Sequence, residues 1–366
     1  MKIAFIGYEA NIKNRVGSNQ YAFELLKAFY KLDHKNEYIV YLPSRPLDDM
    51  PQEREGWQYK VVGPQKLWNV FALPFALLKE KNKFDLIFNP GHYSPLFFNS
   101  PLYLSIMDLG YLKFPEHFSK KVYWKLRLGT AFSLKLASFV FPISKATLND
   151  IIKYYDINKD KVVVSYPGID HGRFNLEAKS KIDEVKRKYE IEGDYLLFLS
   201  TLKPSKNIEG LIGAFKELYD KGSSLKLVIA GKKGWHYEGI FKEVDKLKLS
   251  KEVIFTDFVD EKDISGLMAG AKVFVLPSFF EGFGIPVIEA MACGTPVVVS
   301  NAGSLPEITD KAGIVVNPYD YKDIARGINK ALFNKDKLVR LGLERCKIFT
   351  WENCAKKILE FLKEEK

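Results

Sequence analysis

The stretch from residue 271 to residue 300 constrains the fold of this chain more than any other. Residues 271–276 are apolar and rich in β-branched and aromatic side chains, as in a strand that is buried on both faces. A glycine-bearing loop, EGFG, comes next. Pro286 suits the first turn of a helix, and Gly294 and Pro296 end that helix. Residues 297–300 return as a second buried strand. This order predicts a doubly wound α/β domain with a parallel sheet.

The loop before this helix is predicted to bind an anion. At a helix N-terminus the backbone N–H groups of Phe283, Gly284 and Ile285 have no partner within the helix. Two carboxylates flank them, Glu281 before the loop and Glu289 in the expected first turn. Such acids can simply complement the helix dipole. As a pair beside a phosphate site they are better suited to accept hydrogen bonds from hydroxyls, one from a sugar and one from a ribose. The predicted ligand is therefore a nucleotide-sugar.

The segment EGFGIPVIEAMACGTPVVVS, followed by Gly303, resembles the donor-site signature of retaining family-4 glycosyltransferases of GT-B fold, also called glycosyl transferases group 1. The resemblance implies an α/β protein with two doubly wound Rossmann-like domains that face each other across a cleft. It also implies that Glu281 contacts the donor sugar and takes part in catalysis, while Glu289 contacts the ribose.

The first loop of the predicted donor domain departs from the family pattern. The family has an arginine and a lysine five positions apart, both on the donor phosphates. Lys206 matches the lysine and is expected to take part in catalysis, whereas Thr201, a candidate donor contact, stands where the arginine would be. Lys203 or a cation of the first domain is a candidate replacement. This variant resembles the mannosyltransferase branch, which favours GDP-mannose over UDP-sugars as the donor.

Other donor contacts follow from the resemblance. Gly17 and Arg15 lie in the first loop of the chain, and Gly231 lies at the sheet edge that carries the donor loop. Phe258 and Val259 belong to a turn whose backbone groups contact the nucleotide base in this family. An ordinary strand–helix turn remains the alternative for the loop at Gly17.

A second departure concerns a histidine. The family has a His-Asp pair at the end of a first-domain strand, where this chain has Met107 and Asp108. His92, at a neighbouring strand end, is a candidate to contact the sugar together with Asp108. An incidental loop histidine is the alternative.

The chain length of 366 residues suits two domains. The predicted domains are residues 1–170, on the acceptor side, and residues 190–348, which bind the donor. A C-terminal helix, 351–366, is expected to pack back on the first domain. Within that domain the pattern also predicts a helix at 65–81 and a last strand at 162–165.

The net charge of +10 is uneven, because residues 1–168 carry 23 lysines and arginines against 15 acids. Nucleic acid, anionic lipid and a phosphorylated acceptor could each explain such a basic half. No recognition motif supports nucleic acid. The basic and aromatic residues 118–136 predict either a surface helix with an apolar core face or a membrane-facing acceptor surface.

Three unpatterned cysteines and the lack of an apolar span or signal peptide predict a cytoplasmic protein, with peripheral contact at the inner face of an anionic membrane. No Asp-x-Asp occurs, so neither a metal nor another cofactor is expected. The predicted function is metal-independent, retaining transfer of a hexose, with mannose favoured, to a glycan or lipid-linked acceptor. A nucleotide-sugar epimerase or phosphorylase and a non-catalytic nucleotide-sugar binding protein are the alternatives.

Overall fold

The computed structural model describes residues 1–80 and 83–361. Strands and helices alternate along most of the chain. The strands are β1 (Lys2–Ile6), β2 (Glu37–Leu42), β3 (Trp57–Val61), β4 (Leu86–Asn89), β5 (Leu102–Ile106), β6 (Phe139–Pro142), β7 (Tyr195–Leu199), β8 (Lys226–Ala230), β9 (Val253–Asp257), β10 (Val273–Leu276), β11 (Val297–Ser300) and β12 (Gly313–Val316). The helices are α1 (Ser18–Leu32), α2 (Ala72–Leu78), α3 (Gly110–Lys113), α4 (Lys120–Leu136), α5 (Lys145–Tyr154), α6 (Lys179–Lys188), α7 (Ile208–Asp220), α8 (Glu238–Lys246), α9 (Ile264–Ala269), α10 (Ile285–Ala292), α11 (Leu305–Thr309), α12 (Tyr321–Phe333), α13 (Lys335–Cys346) and α14 (Trp351–Phe361).

The chain divides into two compact units. The first contains Met1–Gly168 and the chain from Trp351 onward, and the second contains Ile169–Thr350. Each unit has one six-stranded sheet whose strands pair in parallel. The strand orders are β3-β2-β1-β4-β5-β6 and β12-β11-β10-β7-β8-β9. Both orders are that of a doubly wound sheet, which confirms the predicted fold class.

Buried apolar strands form the core of each unit. Every residue of β4, β5, β10 and β11 is buried, as parallel strands covered by helices on both faces should be. In the first unit α14 packs against α1, where the rings of Tyr21 and Trp351 meet edge to face at 5.8 Å. The hydroxyl of Ser165 also donates to the carbonyl of Cys354 at 3.0 Å. Residues 362–366 of the predicted last helix lie outside the described residues.

The predicted helix at 65–81 is wrong over its first part. Helix α2 runs only from Ala72 to Leu78, with Phe71 and Lys79 as its caps. The left-handed backbone of Leu67, with φ of 57°, excludes that residue from a helix. Trp68 instead enters the core, and its indole N–H donates to the carbonyl of Val62 at 2.8 Å. Residue 81, at the predicted end, lies outside the described residues.

The predicted strand at 162–165 is also wrong, since only an isolated bridge joins Val162 to Val140. The amide of Ser165 donates to the carbonyl of Pro142 at 3.0 Å, but Pro142 has no N–H to donate in return. The ladder therefore cannot continue, and β6 is the last strand of the first sheet.

Helix α13 was not among the predicted elements. It packs on α10, where Gly342 leaves room for the side chain of Met291. Arg345 donates to the carbonyls of Glu307 and Ile308 at 2.6 and 2.9 Å, which ties α13 to α11. Among the helices in the described ranges, none combines the length and apolar character that a membrane span requires.

Candidate functional site

Two loops meet at the centre of the second sheet. They follow the adjacent strands β7 and β10, whose connections run to opposite sides of the sheet. In doubly wound sheets, ligands bind in the crevice at this switch point, outside the carboxyl ends of the strands. The amide of Phe279 in the second loop donates to the carbonyl of Ser205 in the first at 2.9 Å. This hydrogen bond joins the two loops.

Asn207 anchors the first loop. Its backbone is left-handed, with φ of 54°, and its side chain is buried. The side-chain amide donates to the carbonyl of Pro277 at 3.1 Å and to that of Pro318 at 2.6 Å. A Cβ at Gly210 would lie 2.4 Å from the Asn207 side-chain oxygen, so the first turn of α7 needs glycine there. This anchoring fixes the backbone beside Lys206.

An ion pair joins the two predicted catalytic residues. The Nζ atom of Lys206 lies 2.5 Å from Oε1 of Glu281, and each side chain is 12% exposed. The hydroxyl of Ser278 donates to the same Oε1 at 2.7 Å. Within residues 1–80 and 83–361, no protein donor is seen on Oε2 of Glu281, so that oxygen can accept a hydrogen bond from a ligand hydroxyl. Neither this ion pair nor the hydrogen bond from Ser278 follows from the sequence pattern.

The loop after β11 holds the Glu281 backbone. Gly303 has φ of 60°, and a Cβ there would lie 2.2 Å from the Glu281 carbonyl oxygen. The amide of Ser304 donates to that carbonyl at 3.1 Å, and its hydroxyl donates to the carbonyl of Phe283 at 2.9 Å. The close approach explains why glycine stands at position 303 in the motif.

Helix α10 starts at Ile285 with Gly284 as its N-cap, and no side chain caps it. Its first amides have no acceptor within the helix, and Pro286 carries no N–H at all. The side chain of Phe283 is buried and packs edge to face on Phe349 at 5.6 Å. Only the backbone of Phe283 is therefore suited to face a ligand, whereas Ile285 is half-buried.

Glu289 is the fifth residue of α10, so it lies in the second turn and not in the first as predicted. Burial raises the pKa of Glu289 to about 7, although the charge of Arg173 lowers it and that of Glu261 raises it further. Arg173 itself donates to the backbone carbonyl of Glu261 at 2.7 Å. Glu289 thus changes charge in the neutral pH range.

The other predicted donor residues of the second unit lie along the ends of β7, β8 and β9. Gly231 has φ of 140°, and a Cβ there would lie 1.9 Å from the carbonyl oxygen of Ser200, so only glycine fits. Thr201 is exposed. Phe258 is 52% exposed beneath the ammonium of Lys232, which lies 4.6 Å from its ring centre. Val259 is buried, which leaves only its backbone for a ligand.

Two cations considered as replacements for the missing arginine have other partners. The ammonium of Lys203 lies 5.0 Å from the ring centre of Trp235. Arg15, in the first unit, forms a salt bridge with Asp49, and its guanidinium lies 3.7 Å from the ring centre of Phe23. Its Nε also donates to a backbone carbonyl at 2.7 Å. Arg15 therefore supports the loop that it belongs to.

The switch point of the first sheet lies between β1 and β4 and has polar side chains of its own. Gly17 has φ of 56° and borders open space. Glu9 accepts a hydrogen bond from Asn19, and burial raises the pKa of its carboxyl. A Cβ at Gly91 would lie 3.4 Å from the Glu9 side chain. Glu9 could not be predicted as a residue of this switch point, because a single acid after a strand forms no distinctive sequence pattern.

His92, in the loop after β4, is held by a hydroxyl network. Its Nε2 lies 2.9 Å from the hydroxyl of Thr130, which donates to the carbonyl of Leu126 and accepts from Tyr111. Counting donors assigns the proton to Nε2, which leaves Nδ1 as an acceptor. Burial lowers the pKa of His92 to about 4, although Asp108 raises it. His92 is therefore neutral, and Asp108 accepts from the amide of Gly110 at 2.8 Å.

Family models match both parts of the chain. The model for Glycosyl transferases group 1 matches residues 181–344, and the model for Glycosyltransferase Family 4 matches residues 16–173. The matches confirm the resemblance seen in the sequence motifs.

Among curated proteins, the chain is 30% identical over 253 residues to the O-antigen chain mannosyltransferase B of Escherichia coli, covering 68% of this chain and 66% of that protein. It is 34% identical to the serotype-specific mannosyltransferase WbdA of Escherichia coli, covering 62% of this chain and 29% of that protein. It thus spans less than two thirds of either. For the O-antigen chain mannosyltransferase RfbU of Salmonella typhimurium, identity is 30%, and the match covers 70% of this chain and 68% of that protein.

Solved structures confirm the GT-B fold. HepE of Anabaena, in complex with UDP and glucose, superposes with a TM-score of 0.75 at 21% identity and covers 99% of both chains. Sucrose-phosphate synthase of Thermosynechococcus elongatus has a TM-score of 0.79 at 20% identity, covering 100% of this chain and 99% of that one.

The raised pKa of Glu289 predicts a pH-dependent stability. Because the folded-state pKa lies above the ordinary 4.5, the carboxylate destabilises the folded protein once it is charged. The melting temperature of the wild type relative to Glu289→Gln should fall as the pH rises from about 4.5 to about 7, and then stay constant. The measurement is thermal unfolding of both ligand-free proteins across this range. The exposed Glu192→Gln should show no such trend, and a pH-independent difference for Glu289→Gln would contradict the assignment.

Proposed function

Because the chain belongs to the group 1, family-4 glycosyltransferases, we propose that it transfers a hexose, with mannose favoured, from a nucleoside-diphosphate sugar to a glycan or lipid-linked acceptor. The observation that carries the proposal is the arrangement of Lys206, Glu281 and Ser278 at the switch point beside the start of α10. GDP-mannose is the favoured donor, since the curated relatives are named mannosyltransferases.

In this proposal the role of each site residue follows from the negative charge of the diphosphate leaving group. Lys206 and the first amides of α10 stabilise the diphosphate as it departs, without a metal. Oε2 of Glu281 accepts a hydrogen bond from a sugar hydroxyl, Glu289 accepts one from the ribose, and the backbone at Phe258 and Val259 contacts the base. Gly231, Gly284 and Gly17 let the backbone approach the donor closely.

The reaction retains the anomeric configuration by attack on the face from which the diphosphate leaves. The acceptor oxygen bonds to the anomeric carbon while the bond from that carbon to the phosphate oxygen breaks. The phosphate takes the electron pair, and its oxygen takes the acceptor proton. This chemistry requires no separate nucleophile or base, which is consistent with an ion-paired Glu281.

The enzyme is proposed to work in the cytoplasm, peripherally at the inner face of the membrane. Its three cysteines are free and buried thiols, as suits a reducing compartment. Two of the relatives are named O-antigen chain mannosyltransferases, which supports a cell-surface glycan as the acceptor.

The experiment that tests this function compares donors and then looks for transfer. GDP-mannose should raise the melting temperature more than UDP-glucose or UDP-galactose, and a membrane extract should then accept mannose, with the product identified by mass spectrometry. Excess EDTA should leave the rate unchanged. Donor epimerisation or phosphorolysis without acceptor would favour the rival enzymes, whereas tight donor binding without turnover would favour a binding protein.

The ion pair predicts different effects for two neighbouring lysines. Lys206→Ala should weaken donor binding by about tenfold or more, the scale of one charge-assisted hydrogen bond, whereas Lys203→Ala should change it far less. Lys206→Ala should also lower the melting temperature, because it leaves the Glu281 carboxylate buried without its cation. Calorimetric titration and thermal unfolding measure the two effects.

The double variant Lys206→Ala/Glu281→Gln separates the two roles of the pair. The double variant should have a melting temperature close to that of the wild type, because no buried carboxylate is left without its cation. It should still bind the donor weakly. Equal, small losses of donor affinity for Lys206→Ala and Lys203→Ala would show that the phosphates lie elsewhere.

His92 is proposed to contact the sugar in place of the family histidine absent at Met107, with Asp108 beside it. Nδ1 would accept a hydroxyl hydrogen bond, so His92→Ala should reduce kcat/KM by about tenfold or more. Met107→His in the His92→Ala background should restore part of that loss, as judged from steady-state rates. The control is His34→Ala, an exposed histidine of the same unit. If His92→Ala matches the wild type, an incidental histidine is the better interpretation.

A further inference from the structure

The charges at the switch point of the second sheet nearly cancel. The ammonium of Lys206 is paired with the carboxylate of Glu281 at 2.5 Å, so together they contribute no net charge. The start of α10 adds roughly half a positive charge. Glu289 is partly ionised at neutral pH, because burial raises its pKa to about 7. A diphosphate carries a negative charge on each phosphate, so its binding at this point calls for a further cation.

The loops after β7 and β8 contain four lysines. Lys206 and Lys233 are each paired with a carboxylate, at 2.5 and 3.4 Å. The ammonium of Lys203 lies 5.0 Å from the centre of an indole ring. Lys232 is exposed, and within the described part of the chain no carboxylate pairs with its ammonium. The charge of Lys232 is therefore available to a ligand.

The loop that carries Lys232 continues the pairing of two strands. Strands β7 and β8 pair in parallel, and an isolated bridge between Leu202 and Lys233 extends the same register past both strand ends. The amide of Leu202 donates to the carbonyl of Lys232 at 2.9 Å, and the amide of Gly234 donates to the carbonyl of Leu202 at the same distance. These bonds fix the backbone of Lys232 against the loop after β7.

The same register places Lys232 beside Thr201, because Thr201 is the residue opposite it in the pairing. Alternate residues of an extended segment point to the same side. A Cβ at Gly234, two residues after Lys232, would lie 3.0 Å from Cγ2 of Thr201. Lys232 and the exposed Thr201 therefore lie on the same side of the paired loops. A cation thus stands next to the position from which the arginine of the family pattern is absent.

The contact that the Lys232 ammonium makes within the protein is a weak one. The ammonium lies 4.6 Å from the ring centre of Phe258, which is 52% exposed. A cation–π contact at an exposed site is weaker than a charge-assisted hydrogen bond to a phosphate. Because the stem of a lysine is flexible, the ammonium can exchange the ring for a phosphate oxygen without a change in the backbone.

We propose that Lys232 is the second cation of the donor diphosphate and supplies the positive charge that Lys206, paired with Glu281, does not supply alone. The inference rests on the proposed function, which places the diphosphate at the start of α10. In the free protein the Lys232 ammonium lies against the ring of Phe258. When the donor binds, the ammonium moves to a phosphate oxygen and donates a hydrogen bond to it.

The test is calorimetric titration of the full chain with GDP and with UDP. The nucleotide that binds the wild type more tightly is then titrated into the variants. Lys232→Gln should weaken its binding by about tenfold or more, the scale of one charge-assisted hydrogen bond. Lys232→Arg should bind it nearly as well as the wild type, because the charge is kept.

The matched control is Lys233→Gln, which removes the same charge one residue away. Because Lys233 is paired with Asp257, this variant should change the nucleotide affinity far less. Thr201→Arg in the Lys232→Gln background should restore most of the lost affinity, since the two positions are neighbours across the paired loops. The melting temperature of each ligand-free variant should stay close to that of the wild type, because all three side chains are exposed.

Two results would overturn the proposal. One is a wild-type nucleotide affinity in Lys232→Gln, or a loss of affinity that Lys233→Gln matches. The other is a loss in Lys232→Gln that neither Lys232→Arg nor the added Thr201→Arg relieves, because the nucleotide would then not depend on the charge.

The two proposals can fail separately. If the nucleotide binds each variant as expected but the wild type transfers no sugar, the proposed function fails and Lys232 stands as a cation of the nucleotide site. If the wild type transfers sugar and Lys232→Gln binds the nucleotide like the wild type, only the inference about Lys232 fails. Binding of neither GDP nor UDP to the wild type would overturn both.

Discussion

The ion pair between Lys206 and Glu281 is the interaction on which the second unit's site depends. Two charged side chains, each 12% exposed, face each other at 2.5 Å. Removing such charges from water costs free energy that their attraction often fails to return. A fold selected for stability alone has little reason to keep them. Their supports, which include Asn207, Ser278 and Gly303, hold two loops that a donor would have to contact together.

The sequence predicted this sheet and its loops well, because apolar strands and glycine-marked turns are local signals. It could not predict that Lys206 pairs with Glu281, since the two lie 75 residues apart and only the adjacency of β7 and β10 brings them together. The helix predicted at 65–81 and the strand predicted at 162–165 are wrong for local reasons that the apolar pattern does not reveal. A left-handed Leu67 is excluded from a helix, and Pro142 cannot donate to a seventh strand.

The first unit was harder to predict for a different reason. Apolar residues occur around the whole of α4, so periodicity cannot tell which of them the core takes. The fully buried residues of α4 are Leu134 and two hydroxyl residues, while Tyr123 and Leu126 pack partly buried against the same core. One of the hydroxyl residues, Thr130, fixes the tautomer of His92. His92, which the sequence offers either as a sugar contact or as an incidental loop histidine, is therefore held in place by a hydroxyl of α4. Family motifs could not show this link, because neither position belongs to the donor signature.

The location of charge distinguishes the explanations for the basic first unit. At its switch point the polar groups described are a neutral His92 and a Glu9 carboxyl of raised pKa, while Arg15 is engaged with Asp49. His92 and Glu9 can exchange hydrogen bonds with hydroxyl groups, but neither supplies a positive charge to pair with a phosphate. The cations of α4 lie instead on a helix that also exposes large apolar side chains, which a nucleic-acid backbone would not engage. An anionic lipid surface, as in the peripheral membrane location proposed above, would use both the cations and the exposed apolar side chains of this helix.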